Sequence, residues 1–226
     1  MKRILVSIIL LLSLSSAYAQ KSNFSVPDYK KIGKAIAKKS SSAYYPVLME
    51  RLKANDTTLT PREYHLLYFG YVLQPGYAPE KVKSAQDSLL ALMNREVLEE
   101  REYIRIIELA SSTLNEYPFE ISILDPLIYA LRMEGKNELA AKLEFRFGRI
   151  IETIFNSGNG LTKETAFHVV SISHQKDMLR ALGFGFGGQQ MMAGSKISYL
   201  KVAKNDFGID GMYFNVSAIN TAPANH

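Results

Sequence analysis

The sequence predicts an α+β protein: an irregular helical-repeat layer over residues 27–157, followed by a small strand-helix-strand-strand module over residues 158–219. Three observations carry this expectation. Apolar residues recur at three- and four-residue spacing from residue 27 to residue 156, as helices with one buried face require. The turn-forming cluster Ser157-Gly158-Asn159-Gly160 ends that periodicity. Beyond it, residues 165–173 (TAFHVVSIS), 197–203 (ISYLKVA) and 212–217 (MYFNVS) are rich in the branched and aromatic side chains that favour strands.

Helices are expected near 28–39, 43–54, 60–73, 80–93, 99–115, 120–134 and 137–156. The sharpest local signal is Thr60-Pro61-Arg62-Glu63. Thr60 can cap, Pro61 suits the first helical position, and Glu63 can reach back to close a capping box. This helix should stop before Pro75-Gly76. Pro118, Gly135 and Ala140 follow the proline, glycine and small-residue phasing of a tetratricopeptide-like unit. Most large aromatic and paired small residues of that pattern are missing, so the repeat is irregular, and an ordinary helical bundle is the alternative. In the second part a short helix is expected over 174–182, then a glycine-rich loop before the second strand. So few strands need a helix to cover one face, which places the module against the helical layer. Residues 220–226 read as a frayed tail.

Residues 1–19 (MKRILVSIILLLSLSSAYA) have the order of an export signal, with a basic head at Lys2 and Arg3, an apolar stretch and the small-x-small site Ala17-Tyr18-Ala19. Cleavage there would leave residues 20–26 as a linker and a mature chain with 25 basic and 22 acidic side chains. That weak excess, with Lys30, Lys31, Lys34, Lys38 and Lys39 spread over a solvated helix face, gives no basis for nucleic-acid binding. There is no cysteine. Disulfides, thiolate metal sites and attachment through a lipidated cysteine are therefore excluded. No later stretch approaches about 18 apolar residues, so no stable membrane span is expected after cleavage.

Gly183-Phe184-Gly185-Phe186-Gly187-Gly188 has the spacing of a dinucleotide loop, but a helix precedes it where that motif needs a strand. No cofactor is expected. His168, His174 and Asp177 could in principle hold a metal or perform acid-base chemistry, although a histidine in an apolar strand is usually structural. No metal site is assigned. No G-x-S-x-G elbow occurs, and carboxylates such as Glu99, Glu100, Glu102, Asp125 and Glu164 form no distinctive pair. Tyr64, Tyr68 and Tyr71 fall on one stripe of the capped helix, with thirteen tyrosines and no tryptophan in the chain. Such a stripe can line a peptide groove or fill the core. Asp56-Thr57-Thr58 and Asp87-Ser88-Leu89 resemble the acid-hydroxyl-apolar triplet that some Gram-negative bacteria O-glycosylate on exported proteins.

Several phrases together, among them Pro27-Asp28-Tyr29, Leu67-Tyr68-Phe69-Gly70-Tyr71, Thr165-Ala166-Phe167-His168-Val169 and Tyr213-Phe214-Asn215-Val216, resemble the exported bacterial proteins grouped as domain of unknown function 4919. The resemblance covers almost all of the chain after residue 19. It implies a signal peptide, a helical body and a short β-containing end, and it carries over no activity, cofactor or catalytic residue. Asn159 stands where the resemblance implies an acid, which counts against a metal at that turn.

The leading expectation is a non-enzymatic, periplasmic or secreted module that binds an envelope protein or peptide through Tyr64, Tyr68, Tyr71, His168 and His174. A small hydrolase or glycan-processing protein, with its site between the helical and β-containing parts, is the alternative. A purely structural envelope component is a third.

Overall fold

The computed structural model describes residues 24–78, 81, 83–95 and 98–220, and the export signal expected at residues 1–19 lies outside the described residues. The fold is α+β. Helix α1 (Tyr29–Ala37) begins where the Asp28 carboxylate accepts the Lys31 N–H at 3.0 Å. Helix α2 (Tyr45–Lys53) carries Pro46 in its first turn. Helix α3 (Pro61–Gly70) has the full capping box: Glu63 N–H donates to Thr60 Oγ1, and Thr60 N–H donates to Glu63 Oε2 at 2.8 Å. It tightens into a 3₁₀ turn (Tyr71–Leu73) before Pro75.

Four more helices follow: α4 (Lys83–Met93), α5 (Glu100–Glu116), α6 (Ile121–Met133) and α7 (Asn137–Phe155). Helix α6 packs on both α5 and α7, and α4 lies against α5 and α6. Pro126 sits inside α6, so it has no N–H to offer the Ser122 carbonyl one turn earlier. None of the described helices is long and apolar enough to cross a membrane.

The C-terminal part contains β1 (Phe167–His168), α8 (Ser173–Ala181), β2 (Phe186–Met192), β3 (Ile197–Val202), β4 (Gly211–Asn215) and a last turn, α9 (Ser217–Asn220). The four strands lie in the order β1-β4-β3-β2. Only the β1–β4 pair is parallel, with Phe167 opposite Phe214. Ser198, Leu200 and Val202 of β3 and Met212 and Phe214 of β4 form the buried face of the sheet. That face joins a single core running from Ile32 to Ala218, so the sheet is covered by the helices.

Two elements differ from the sequence expectation. The glycine-rich segment expected as a loop contains strand β2. Every residue of β2 is exposed, so no apolar alternation marks it, and main-chain pairing with β3 holds it. Gly187 is required for close approach there, because a Cβ would lie 2.8 Å from the Val202 carbonyl oxygen. The strand expected over 165–173 is only two residues long. Its continuation is diverted from the sheet because Val170 donates its N–H to Tyr68 Oη and accepts from Tyr77 Oη.

At the turn between α7 and β1, Asn159 and Gly160 both donate N–H groups to the Thr165 carbonyl. A Cβ on Gly158 would stand 2.5 Å from the Thr165 and Ala166 carbonyl oxygens. Gly158→Ala should therefore destabilise the chain by about 2–3 kcal/mol, read as a lowered urea midpoint. An unchanged midpoint would contradict this account of the turn.

Candidate functional site

Tyr64, Tyr68 and Tyr71 all lie in the core. Tyr68 is fully buried with its ring against Phe69, Phe119 and His174. Burial leaves a phenol hydroxyl needing a partner, and those of Tyr45, Tyr68, Tyr71 and Tyr77 find one in main chain or imidazole. Tyr68 Oη accepts from Val170 N–H at 3.3 Å and lies 2.7 Å from His174 Nδ1. Tyr77 Oη donates to the Val170 carbonyl at 2.7 Å, and Tyr45 Oη to the Leu67 carbonyl at 3.2 Å. The three tyrosines of the expected stripe consequently line no open groove.

His174, on the first turn of α8, is fully buried. Burial lowers its pKa to about 3, only partly countered by the Phe119 carbonyl, so the ring is neutral. Tyr68 Oη and His174 Nδ1 share one hydrogen bond, while the other ring nitrogen, Nε2, has no hydrogen-bond partner among the described residues. That nitrogen is 3.8 Å from Glu120 Oε2.

Glu120, just before α6, is 3% exposed. Its carboxylate accepts from the Ser173 hydroxyl at 2.8 Å and from Gln86 Nε2 at 3.2 Å, while Ser171 and Ser173 share a hydrogen bond of 2.8 Å. Burial raises the Glu120 pKa to about 7 against the Ser173 hydrogen bond, with the charge of Asp177 adding to the rise. Asp177, one turn further along α8, is also 3% exposed and is likewise raised to about 7 by burial. Arg180 opposes that shift at 3.4 Å, and Asp125 reinforces it. Asp177 Oδ2 has no hydrogen-bond partner among the described residues.

Ser173 and Asp177 line a cleft of about 670 Å³ between α4, α6 and α8. Leu89, Leu90, Met93, Pro126 and Tyr129 supply its apolar wall, while Asp87 and Asp125 are exposed acids on its lining. Lys176 and Arg180 are its cations, and Lys176 Nζ also lies 4.6 Å from the Phe186 ring centre. A concave apolar surface with a few convergent polar groups and perturbed carboxyls is what a binding or catalytic site requires. No group of three or more metal-ligating side chains occurs among the described residues.

The structure thus brings Tyr68 and His174 together behind the cleft, with Tyr64 and Tyr71 elsewhere in the core. His168 is half-buried in β1, does not line the cleft, and burial lowers its pKa to about 4. Thr57 is exposed beside Asp56, whose Oδ1 accepts both the N–H and the hydroxyl of Thr58. Ser88 is exposed on α4 with its hydroxyl donated to the Ser84 carbonyl. Glu120 was not legible as a site residue. Its one sequence signal is an acid at the start of a helix next to Phe119, a context that usually denotes a solvated first turn.

The fold and cleft define an α+β protein whose helices α4, α6 and α8 enclose a pocket floored by buried acid. The family model described as Domain of unknown function (DUF4919) matches residues 30–223, and the chain belongs to that family. No curated protein and no solved structure matches it.

Tyr68→Phe leaves the Val170 N–H and His174 Nδ1 unpaired in the core, and should cost about 2 kcal/mol by denaturant titration. The acid gives a second prediction. A carboxyl whose folded pKa is raised from 4.5 to about 7 binds its proton more tightly in the folded chain, so its contribution to stability falls as pH climbs through that window. Asp177 acts in the same sense, whereas half-buried His168 and fully buried His174 act in the opposite one, favouring the folded chain as pH rises from their lowered values towards 6.5. The comparison with Glu120→Gln isolates the acid: from about pH 5 to about pH 8 the variant should gain about 3 kcal/mol relative to wild type. A pH-independent difference would show that Glu120 titrates normally.

Proposed function

We propose that the protein is an exported, non-enzymatic binding module of the cell envelope, and that the cleft between α4, α6 and α8 receives a segment of a protein or peptide partner. The observation that carries this reading is the pairing of a large apolar wall with Asp177, a nearly buried acid with one oxygen unpartnered among the described residues. A complementary side chain can gain from both apolar contact and the acid, whereas the tyrosine stripe is committed to the core. Export itself rests on the order of residues 1–19, and the tetratricopeptide-like reading on the phasing of Pro118, Gly135 and Ala140. Helices α5, α6 and α7, which pack in succession, agree with a stacked helical layer.

The hydrolase reading has one specific observation in its favour: the Ser173 hydroxyl, on the cleft lining, donates to Glu120, a carboxylate whose pKa stands near 7. Such a carboxylate can take a proton from a hydroxyl at neutral pH. A serine-directed phosphonate that labels Ser173 in wild type but not in Glu120→Gln would favour hydrolysis, and absence of labelling would remove its support.

Site-specific photocrosslinking tests the binding reading. A photoreactive side chain at Leu90, exposed on the cleft lining, should give a discrete adduct in the cell envelope. The adduct should be absent from the same probe at Val47 on α2 and weakened at least about fivefold by Asp177→Asn. Equal labelling at Leu90 and Val47, or no effect of Asp177→Asn, would sink the assignment to this cleft.

A further inference from the structure

A second, smaller pocket lies on another part of the helical layer, between the end of α2 and helices α5, α6 and α7, with a volume of about 180 Å³. Its apolar wall is made of leucine side chains, Leu131 and Leu143 among them. The rest of its lining is polar: Arg146 of α7, with Lys53, Asn55, Ser111 and Asn115.

Arg146 is 5% exposed. Its Nη2 donates to the Pro118 carbonyl, and among the described residues its Nε has no hydrogen-bond partner and no carboxylate pairs with it. Burial lowers its pKa to about 10, which still leaves the guanidinium charged at neutral pH. A buried cation without an anion is costly, since nothing replaces the lost hydration of its charge. Asn55, held at φ 53°, has a buried Oδ1 that is also unpartnered among the described residues, and its amide can turn to present N–H. Lys53 Nζ donates once, to the Asn115 carbonyl at 2.9 Å, and retains further donor capacity. Arg146, Lys53 and Asn55 can therefore each offer a proton to an incoming acceptor.

We propose that this pocket is a binding site for a short-chain aliphatic carboxylate, with the carboxylate on Arg146, Lys53 and Asn55 and the hydrocarbon tail against the leucine wall. Size sets the tail. A cavity of roughly 150 Å³ accepts a molecule the size of benzene, so this one takes about six to eight non-hydrogen atoms, the range of a four- to six-carbon acid. Charge distribution sets the head. Two cations, Arg146 and Lys53, beside a wall of five leucines match an anion with an apolar tail, whereas a phosphate would leave that wall uncovered. This site is separate from the cleft that holds Asp177, and it does not depend on what that cleft binds.

Thermal unfolding and titration calorimetry on the whole chain test the proposal, with hexanoate, hexanamide and inorganic phosphate as probes. Hexanoate at about ten times its dissociation constant should raise Tm by roughly 2–5 °C, while hexanamide and phosphate leave it unchanged. Arg146→Met, checked for folding by circular dichroism, should weaken hexanoate binding at least about tenfold. If that variant does not fold, Ser111→Trp, at an exposed position on the same pocket, should weaken binding to a similar degree. No heat or Tm shift with hexanoate, an equal response to hexanamide or phosphate, or full affinity in the folded variant would overturn the assignment.

Discussion

The hydrogen bond between Tyr68 and His174, buried in the core and spanning 106 residues of chain, is the interaction on which the junction depends. Tyr68 stands on α3 and His174 on α8, and the same phenol takes the Val170 N–H. One hydroxyl thus fixes the segment between β1 and α8 against the helical layer. A nonpolar ring in that place would fill the volume but leave a main-chain donor and an imidazole nitrogen unsatisfied, which a dry interior penalises far more than it rewards the bond itself. Tyr77, bonding the Val170 carbonyl, completes the restraint from the same side. Together they explain why β1 is so short and why α8 starts where it does.

The position of α8 in turn decides the character of the cleft. Its first turn carries Ser173 and His174 towards Glu120, and its second carries Asp177 to the cleft. Both acids are almost wholly excluded from water, so burial outweighs the Ser173 hydrogen bond and the Arg180 cation and raises the pKa of each to about 7. Arg146 shows the same imbalance with the opposite charge, since its buried guanidinium meets a carbonyl and, among the described residues, no carboxylate. Groups arranged in this way do little for the stability of a folded chain. Their burial directs attention to the cleft and to the leucine-walled pocket, ahead of the aromatic core.

Much of the fold was legible because it rests on local chemistry. The Thr60–Glu63 capping box, the helical spacing of α5 to α7 and the turn at residues 157–160 each involve residues close in sequence, and the structure contains all three. Strand β2 was hidden because its pairing with β3 is main chain to main chain and neither of its faces is buried. The candidate site was less legible still. Asp177 and His174 stood out only as a loose histidine and acid grouping, while Glu120 and Arg146 looked like ordinary charged helix residues. Their burial comes from helices distant in sequence, which no short spacing records.

By itself, the sequence determined the helical body, its caps and breaks, the change to strand-forming composition after residue 157, and a chemistry without thiols. These follow from periodicity, intrinsic conformational preference and residue inventory, all properties of neighbours along the chain. Tertiary structure decided that the tyrosines are tethers within the core, that the glycine-rich stretch pairs as a strand, and that two acids and an arginine lie away from water. The physical reason is that solvation and hydrogen-bond satisfaction depend on what surrounds a group in three dimensions, and the surroundings here are assembled from residues as far apart as Tyr68 and His174.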